Sequence, residues 1–316
     1  MGRGRILIKS IILISVLSIL CACSTSSDES VLNEQLIPVE GKGSVWTRDT
    51  RATTALQDKV ISSEITMGMF AFRSDESTYG ISNPYTFTFD GNGSFTHSGE
   101  KTLSYPIKTS VSLNLFSYIP YNDSYIDFSS SYDFTVKSSQ IEDADYLASD
   151  LLYGTFTGAL ESNRPNISYT HKLSRLDFTL TIDNTVAVED MRSATISIVG
   201  IKPTVKFKPS DGSISDASGT EVDIPFMTIP SDATTIRTYT ASVRFPPQLI
   251  ETGDFIKITL NDQKTVITVK RTSDFTTTGG TYYTSDYNLT ATAVSGGGAS
   301  VKKFDEVNIT GSATEQ

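Results

Sequence analysis

Runs of alternating apolar and polar residues, separated by turn-forming residues, recur from about residue 56 onward and restrict this chain to an all-β fold. Alternation with a period of two is the pattern of a strand that buries one face. The run Tyr85–Phe89 places three aromatic residues on one face, and the turn sequence Asp-Gly-Asn-Gly at residues 90–93 separates it from a second run that starts near Phe95. Asx-Gly pairs between two such runs predict a β-hairpin.

Further runs of the same character occupy residues 113–118, 173–182, 196–198, 255–269 and 283–289. Threonine, serine, tyrosine and β-branched residues, which favour strands, dominate them. Residues 141–152 lack the alternation and predict a short helix or a loop turn. Many short strands with Gly, Asn, Asp and Pro between them are typical of β-sandwiches and β-barrels.

The chain is long for a single sandwich, so the sequence predicts two of them. The best boundary is the polar, proline-containing segment at residues 161–166, because a strong strand pattern follows it. We therefore predict an N-terminal domain over residues 52–165 and a C-terminal domain over residues 166–316.

The N-terminus has the features of an export signal with a lipid attachment site. Three basic residues precede the apolar run Ile11–Leu20, which is short for a membrane span. Residues 20–23 read Leu-Cys-Ala-Cys, in which a small residue directly precedes a cysteine, as in a lipobox. The sequence predicts a signal peptide over residues 1–22 and a lipid on Cys23. The alternative is an ordinary signal peptide with two incidental cysteines.

Charge and cysteine content narrow the function further. Removal of residues 1–22 takes away three basic residues and leaves 23 basic against 36 acidic ones, a net charge of −13. Nucleic-acid binding needs basic patches, so we predict no nucleic-acid partner. Cys21 and Cys23 are the only cysteines, which leaves neither a disulfide framework nor a cysteine nucleophile in the mature body.

Catalytic motifs are lacking from the sequence. It has two histidines, His97 and His171, and no HExxH, GxSxG or Walker pattern. The Asp-Gly-Asn-Gly turn at residues 90–93 has no downstream carboxylate at the spacing of a calcium loop, so it predicts a plain turn. We predict a non-enzymatic protein without a metal or cofactor, in which His171 is a structural hydrogen-bonding residue.

Aromatic residues offer a binding alternative. Tyr118, Tyr121 and Tyr125 cluster around Pro120 and could form a platform for a glycan, with Tyr118 and Tyr121 as the contacts. The same residues are also what a sandwich core and cross-strand pairs require.

Several segments, read in order, resemble the fimbrillin (Mfa-like, type V pilin) lipoproteins of Bacteroidales. The most specific is the pattern aromatic-x-His-x-Leu-Ser-x-Leu, which begins at Tyr169 within residues 167–182. The others are residues 67–72, 103–106, 113–121, 149–154 and 279–289. The resemblance covers roughly residues 60–294 and implies two tandem transthyretin-like β-sandwiches.

The resemblance also implies a route to the cell surface. The protein would reach the outer membrane through the lipid on Cys23, and residues 23–51 would form a tether and a removable N-terminal segment. An arginine-specific protease would cut this segment off, with Arg48 or Arg51, directly before Ala52, as the candidate site. The alternative is that both arginines are solvated linker charges.

Assembly would follow by strand exchange, in which another pilus subunit's C-terminal strand enters the groove left by the removed segment. Residues 299–316, here called the C-terminal tail, follow three glycines and would be the donor, with Val301, Phe304, Val307 and Ile309 as groove-filling residues. Phe304 is out of phase with the others unless a bulge intervenes. The resemblance thus implies a shaft, tip or anchor subunit of a fimbria, and the alternative is a surface lipoprotein that binds glycan or host protein without polymerising.

Overall fold

The structure is a computed structural model that describes residues 37–48, 56–60, 64–75, 84–106, 110–159, 164–262, 266–290 and 304–305. Its described part is nearly all β-strand. The strands are β1 (Gly41–Arg48), β2 (Leu56–Val60), β3 (Thr66–Arg73), β4 (Tyr85–Phe89), β5 (Ser94–His97), β6 (Leu113–Ile119), β7 (Tyr132–Thr135), β8 (Leu152–Gly158), β9 (Asn166–His171), β10 (Ser174–Ile182), β11 (Thr195–Ile201), β12 (Thr204–Lys208), β13 (Ser213–Ile214), β14 (Val222–Thr228), β15 (Thr238–Phe245), β16 (Leu249–Ile250), β17 (Gly253–Thr259), β18 (Val266–Arg271), β19 (Phe275–Thr276), β20 (Tyr282–Leu289) and β21 (Phe304–Asp305).

Two short helices complete the described elements. Helix α1 (Asp143–Ala148) lies in the segment for which the sequence predicted a short helix or a loop turn, and a 3-10 turn covers Val188–Met191. In the part of the chain that the structure describes, no helix is long and apolar enough to cross a membrane.

The predicted hairpin is confirmed. Strands β4 and β5 pair antiparallel, with Phe89 opposite Phe95. The Asp90 carboxylate accepts the backbone N–H groups of Asn92 at 2.8 Å and Ser94 at 3.1 Å, while Gly91 and Gly93 adopt positive φ. Glycine adopts such φ values without steric cost, which explains the Asp-Gly-Asn-Gly sequence.

The N-terminal sheet has eight strands in the order β2-β1-β5-β4-β3-β6-β8-β9. Strand β1 pairs antiparallel with β5 and also parallel with β9, at the other end of this order. The pairings therefore close seven strands into a ring, with β2 attached to β1. A closed sheet leaves no row of unpaired edge groups, and β1 is the strand that closes it.

The C-terminal half contains two four-stranded sheets, β15-β10-β20-β21 and β14-β11-β17-β18. The buried residues form two hydrophobic cores, and the larger one lies mainly in the C-terminal half. Alternate residues of β10, among them Leu176, Phe178 and Leu180, are buried in this larger core. Phe178 packs edge-on against Phe226 of the other sheet, with ring centroids 5.4 Å apart. This is the arrangement of a β-sandwich, and the predicted all-β fold class is confirmed.

Residues on the two sides of the predicted boundary pack together and pair with one another. Leu36–Gln316 form one compact unit, and the larger core takes in Phe70, Tyr118 and Tyr153 from the N-terminal half. Strand β7 pairs with β12 of the C-terminal half, and β9, which starts at residue 166, lies in the N-terminal sheet. The tandem-domain division at residues 165 and 166 stays a prediction.

Candidate functional site

The candidate site is the place that residues 37–45 occupy in the N-terminal sheet, between β5 and β9. We call this place the acceptor groove. Backbone hydrogen bonds hold the segment on both sides: Val39 donates to Leu103 O at 2.9 Å, Lys42 to Pro165 O at 2.8 Å, and Gly43 to Gly93 O at 2.8 Å. The segment is thus an integral strand of the sheet.

Alternate residues of the segment face the core. Val39 is fully buried and Val45 is 9% exposed, while Gly41 and Gly43 are buried between them. The side chains at 40, 42 and 44 are exposed or half-buried. The inward sequence is therefore Val-Gly-Gly-Val, with one residue between successive members.

Aromatic rings of neighbouring strands fill the space that a larger residue would need at the two glycines. A Cβ at Gly41 would lie 2.3 Å from Pro165 O and 2.5 Å from Phe95 Cζ. A Cβ at Gly43 would lie 2.6 Å from Phe89 Cζ and 3.0 Å from Tyr169 Cε2. The groove therefore has apolar space at positions 39 and 45 and almost none between them.

A buried hydrogen-bond network fixes the Tyr169 ring in the groove. The Tyr169 hydroxyl lies 2.7 Å from Ser117 Oγ and donates to Met67 Sδ at 3.0 Å. Burial raises the pKa of Tyr169, so the phenol stays protonated and neutral. Phe89 packs edge-on against Tyr169, with centroids 6.2 Å apart, and the groove floor is therefore pre-formed.

The steric limit at Gly41 predicts a measurable loss of stability in the uncut chain. We expect Gly41→Ala to lower the free energy of unfolding by about 1–3 kcal/mol, because the new methyl group would overlap a backbone oxygen that side-chain rotation cannot move. Chemical denaturation checks this. Ser44→Ala, on the other face of β1, is the matched control and should change stability by less than about 0.5 kcal/mol. Equal stability of both variants would contradict the tight fit.

Strand β21 is the only described part of the C-terminal tail. Phe304 pairs with Leu289 and Asp305 with Asn288, so these two residues extend the edge of β20 within the same chain. Val301, Val307 and Ile309, the other predicted donor residues, lie outside the described residues. At least this short piece of the tail therefore pairs with its own domain.

The predicted lipidation and processing residues are described in part. Arg48 is the last residue of β1. Cys23, Arg51 and Ala52 lie outside the described residues. Because β1 and β2 pair antiparallel, with Arg48 opposite Leu56, Arg51 belongs to the connection between two neighbouring strands of the sheet.

Tyr118 is a core residue, which corrects the prediction that it contacts a glycan. Its side chain is fully buried, its hydroxyl donates to Asn122 O at 3.3 Å, and its ring lies 5.3 Å from that of Tyr125. A ring without exposed surface offers nothing to a sugar. Tyr121 is half-buried and packs against the same core, so the platform predicted around Pro120 is mainly internal packing.

His171 belongs to a buried ionic cluster. Asp150 Oδ1 accepts from His171 Nδ1 at 2.8 Å and from Arg244 at 2.8 Å. Burial alone would raise the pKa of Asp150, but the charges of Arg244 and His171 more than offset it, so the pKa is lowered and the carboxylate stays ionised. The cluster joins segments from three parts of the chain, as expected for a structural histidine.

The described contacts of this cluster do not resemble those of a catalytic site. Among the described residues, no group of three or more His, Cys, Asp or Glu side chains could hold a metal ion. No serine, threonine or cysteine hydrogen-bonds the His171 ring in the contacts described, and Asp150 is already shared with Arg244. The arrangement is a buried ion pair shared with a histidine, and its described contacts include no activated nucleophile.

Comparison with known proteins decides the family. The model of the fimbrillin-like family matches residues 50–304, most of the chain. The chain belongs to the fimbrillin-like family. Fimbrillin-like proteins are structural and not enzymatic. Membership of this family supports a pilus or adhesin role for the chain at the cell surface. A comparison with curated proteins gives no match for this fimbrillin-like chain.

Solved structures share the fold of this fimbrillin-like chain. A candidate cell adhesion protein from Bacteroides ovatus has a TM-score of 0.61 at 16% identity, over 86% of this chain and 96% of that one. A candidate cell adhesion protein from Bacteroides uniformis has a TM-score of 0.55 at 18% identity, over 85% of this chain and 98% of that one. At such identities the likeness shows the fold alone.

Sequence reasoning did not single out Gly41 and Gly43 as residues of the candidate site. The signal was present, because Val39, Gly41, Gly43 and Val45 alternate with polar residues from Glu40 to Ser44. Glycine inside a strand pattern marks a close approach of another group, here the Phe95 and Phe89 rings.

Proposed function

We propose that this protein is a structural or adhesive subunit of a cell-surface pilus, exported as an outer-membrane lipoprotein through Cys23 and assembled by strand exchange. The observation that carries the proposal is that β1 is the strand that joins β5 to β9 among the described strands of the N-terminal sheet, and that it precedes the candidate cleavage site. Membership of the fimbrillin-like family supports the cell-surface role.

Proteolysis at Arg51 would separate β1 from the body without cutting the body itself. The cut would fall in the connection between β1 and β2, so β2 would stay attached to the rest of the chain. The lipid on Cys23 would leave with β1. One cleavage would therefore both free the subunit from its anchor and remove the covalent hold on the strand that fills the acceptor groove.

Loss of β1 would open the ring between β5 and β9. Their backbone groups would lose partners such as Lys42 and Gly43, and Phe89, Phe95 and Tyr169 would be uncovered. Exposed strand edges pair readily with another chain. A donated strand would restore main-chain hydrogen bonds and fill the pockets with alternate side chains, which is β-augmentation.

The C-terminal tail, residues 299–316, is the donor in this proposal. It follows the three glycines Gly296–Gly298 in the sequence, and it carries the apolar residues Val301, Phe304, Val307 and Ile309. The partners are other pilus subunits, and an arginine-specific protease is the processing partner.

Deletion of residues 299–316 in producing cells tests the assembly. We expect the truncated subunit to keep its thermal unfolding transition and to form no fibres, because the acceptor groove would receive no strand. Electron microscopy of the cells and electrophoresis of unboiled samples report polymers. N-terminal sequencing of recovered subunits shows whether they start at Ala52, after processing, or at Cys23, with the anchor retained.

Fibres from the truncated subunit would overturn the donor role. A strictly monomeric wild-type protein after cleavage at Arg51 would favour the non-polymerising alternative, a surface lipoprotein that binds glycan or host protein.

A further inference from the structure

We propose that the acceptor groove selects a strand whose three inward residues are, in order, an apolar residue, a glycine and a small residue. The strand comes from a second copy of this chain, and its three inward residues are Ile309, Gly311 and Ala313. The inference rests on the proposed function and assigns the register of the exchanged strand. It places Val307–Ala313 of the donor where residues 37–43 lie in the uncut subunit.

Position 41 of the groove admits only glycine. A Cβ there would lie 2.3 Å from the carbonyl oxygen of Pro165, which is backbone, and 2.5 Å from Phe95 Cζ. The oxygen accepts a hydrogen bond from Lys42 N at 2.8 Å, so the donated strand needs the same oxygen in the same place. A side chain at this position would break the hydrogen bond that holds the strand.

Position 43 is less strict and admits a methyl group. A Cβ there meets the far ends of the Phe89 and Tyr169 rings, with Phe89 Cζ at 2.6 Å, and it meets no backbone atom among its nearest neighbours. The tip of the Phe89 ring, which no hydrogen bond holds, can shift by a fraction of an ångström with a small χ change, and the contact with the fixed Tyr169 ring is longer, at 3.0 Å. Alanine therefore fits position 43, although it does not fit position 41.

Position 39 requires an apolar side chain. Val39 is fully buried in a cluster with Leu103 and Phe95, whereas the preceding inward position, Ile37, is 48% exposed. The groove thus accepts, in chain order, a partly exposed apolar residue, a buried apolar residue, a glycine and a small residue, each separated by one outward residue.

The tail contains this pattern once. Gly311 is the only glycine in residues 299–316, Ile309 and Val307 precede it in phase, and Ala313 follows it in phase. The residues between them are Asn308, Thr310 and Ser312, which are polar and suit the outward face. The segment 307–313 therefore reproduces the pattern of residues 37–43.

The limits at positions 41 and 43 together fix the strand direction. In the direction of β1, Gly311 falls at position 41 and Ala313 at position 43. In the reverse direction, Gly311 at position 41 would place the branched Ile309 side chain at position 43, against the Phe89 ring, and Gly311 at position 43 would place Ala313 at position 41, against Pro165 O. The donated strand therefore runs parallel to β9 and antiparallel to β5, as β1 does.

Strand β21 agrees with this register. Phe304 and Asp305 pair with β20 of their own chain, and the proposed register uses only residues that follow Asp305 in the sequence. The inference revises the predicted donor set, because Val301 and Phe304 stay outside the groove while Gly311 and Ala313 enter it.

The test compares inward and outward substitutions of the donor in cells that express the full chain. Gly311→Val should reduce fibres and unboiled polymers at least tenfold, and Thr310→Val and Ser312→Val should leave them unchanged. Since all three positions lie in the tail, the thermal unfolding of the monomer should be the same for each. Wild-type polymer levels in Gly311→Val would overturn the inference.

Cross-linking reads the register directly. Lys42 lies opposite Ser94 in the uncut subunit, so Ser312 of the donor should replace it there. We expect a chain with Ser312→Cys and Ser94→Cys to form disulfide-linked polymers, and a chain with Thr310→Cys and Ser94→Cys to form at least tenfold fewer. Cross-links through Thr310→Cys instead, or intact fibres without either cross-link, would overturn the register. If deletion of residues 299–316 leaves fibres intact, the tail is not the donor, and the donor step of the proposed function fails together with the register.

Discussion

Asp150→Asn is expected to lower the free energy of unfolding by about 3–5 kcal/mol, because it leaves the buried Arg244 guanidinium without its counter-charge. The Arg244 side chain is 6% exposed and lies 2.8 Å from Asp150 Oδ1. Asparagine keeps the shape and one acceptor but loses the charge. Urea denaturation of the purified variant at neutral pH measures the change.

The stability difference should depend on pH with a definite sign. The pKa of Asp150 is lowered in the folded protein, so its contribution is present above the unfolded pKa of about 3.9 and is lost as the pH falls through the folded value. The gap between wild type and Asp150→Asn should therefore be full at neutral pH and should shrink below about pH 4.

Two controls separate this cluster from ordinary surface charge. Asp133→Asn breaks the exposed pair with Lys206 and should cost less than about 1 kcal/mol. The double variant Asp150→Asn with Arg244→Met should be more stable than Asp150→Asn alone, since the uncompensated charge is removed. If Asp150→Asn costs no more than Asp133→Asn, the cluster does not stabilise the fold.

Local patterns in the sequence were sufficient to predict part of the strands. The hairpin β4–β5, the alternating strand β10 and helix α1 each depend on neighbours within a few residues: the Asp90 carboxylate caps its own turn, and every second residue of β10 is buried. Period and turn chemistry predict such elements because their causes lie within the segment itself.

Pairings between distant segments could not be predicted in the same way. Strand β1 pairs with β9, more than 100 residues later, and β7 pairs with β12 across the predicted domain boundary. Alternation shows which face of a strand is buried but not which strand lies beside it. For the same reason the sequence could suggest a surface role for Tyr118, whose burial depends on Tyr125 and on Phe207 from the other half.

The sequence pointed to part of the candidate site, and the rest depends on contacts between distant segments. Removal of a segment within residues 23–51 and donation by the tail were implied by the resemblance and stay predictions, whereas the glycines that define the groove needed the position of Pro165 O and Phe95. The buried ionic cluster likewise joins Asp150, His171 and Arg244, of which only His171 stood out in the sequence.

Loss of β1 without a replacement strand is expected to destabilise the subunit strongly. A chain that starts at Ala52 should lose at least about 3 kcal/mol relative to a chain that starts at Leu36, because the burial of Val39 and Val45 alone contributes about 1.5–3 kcal/mol each. The true cost is larger, since β5 and β9 also lose backbone partners and the aromatic floor of the groove meets water. The chain from Leu36 is the matched control, because it lacks the tether but retains β1. Thermal unfolding compares the two, and binding of an apolar dye should rise in the shorter chain. Equal stability with no added dye binding would mean that the sheet closes without β1, and the free energy that drives uptake of a neighbour's strand would then be missing.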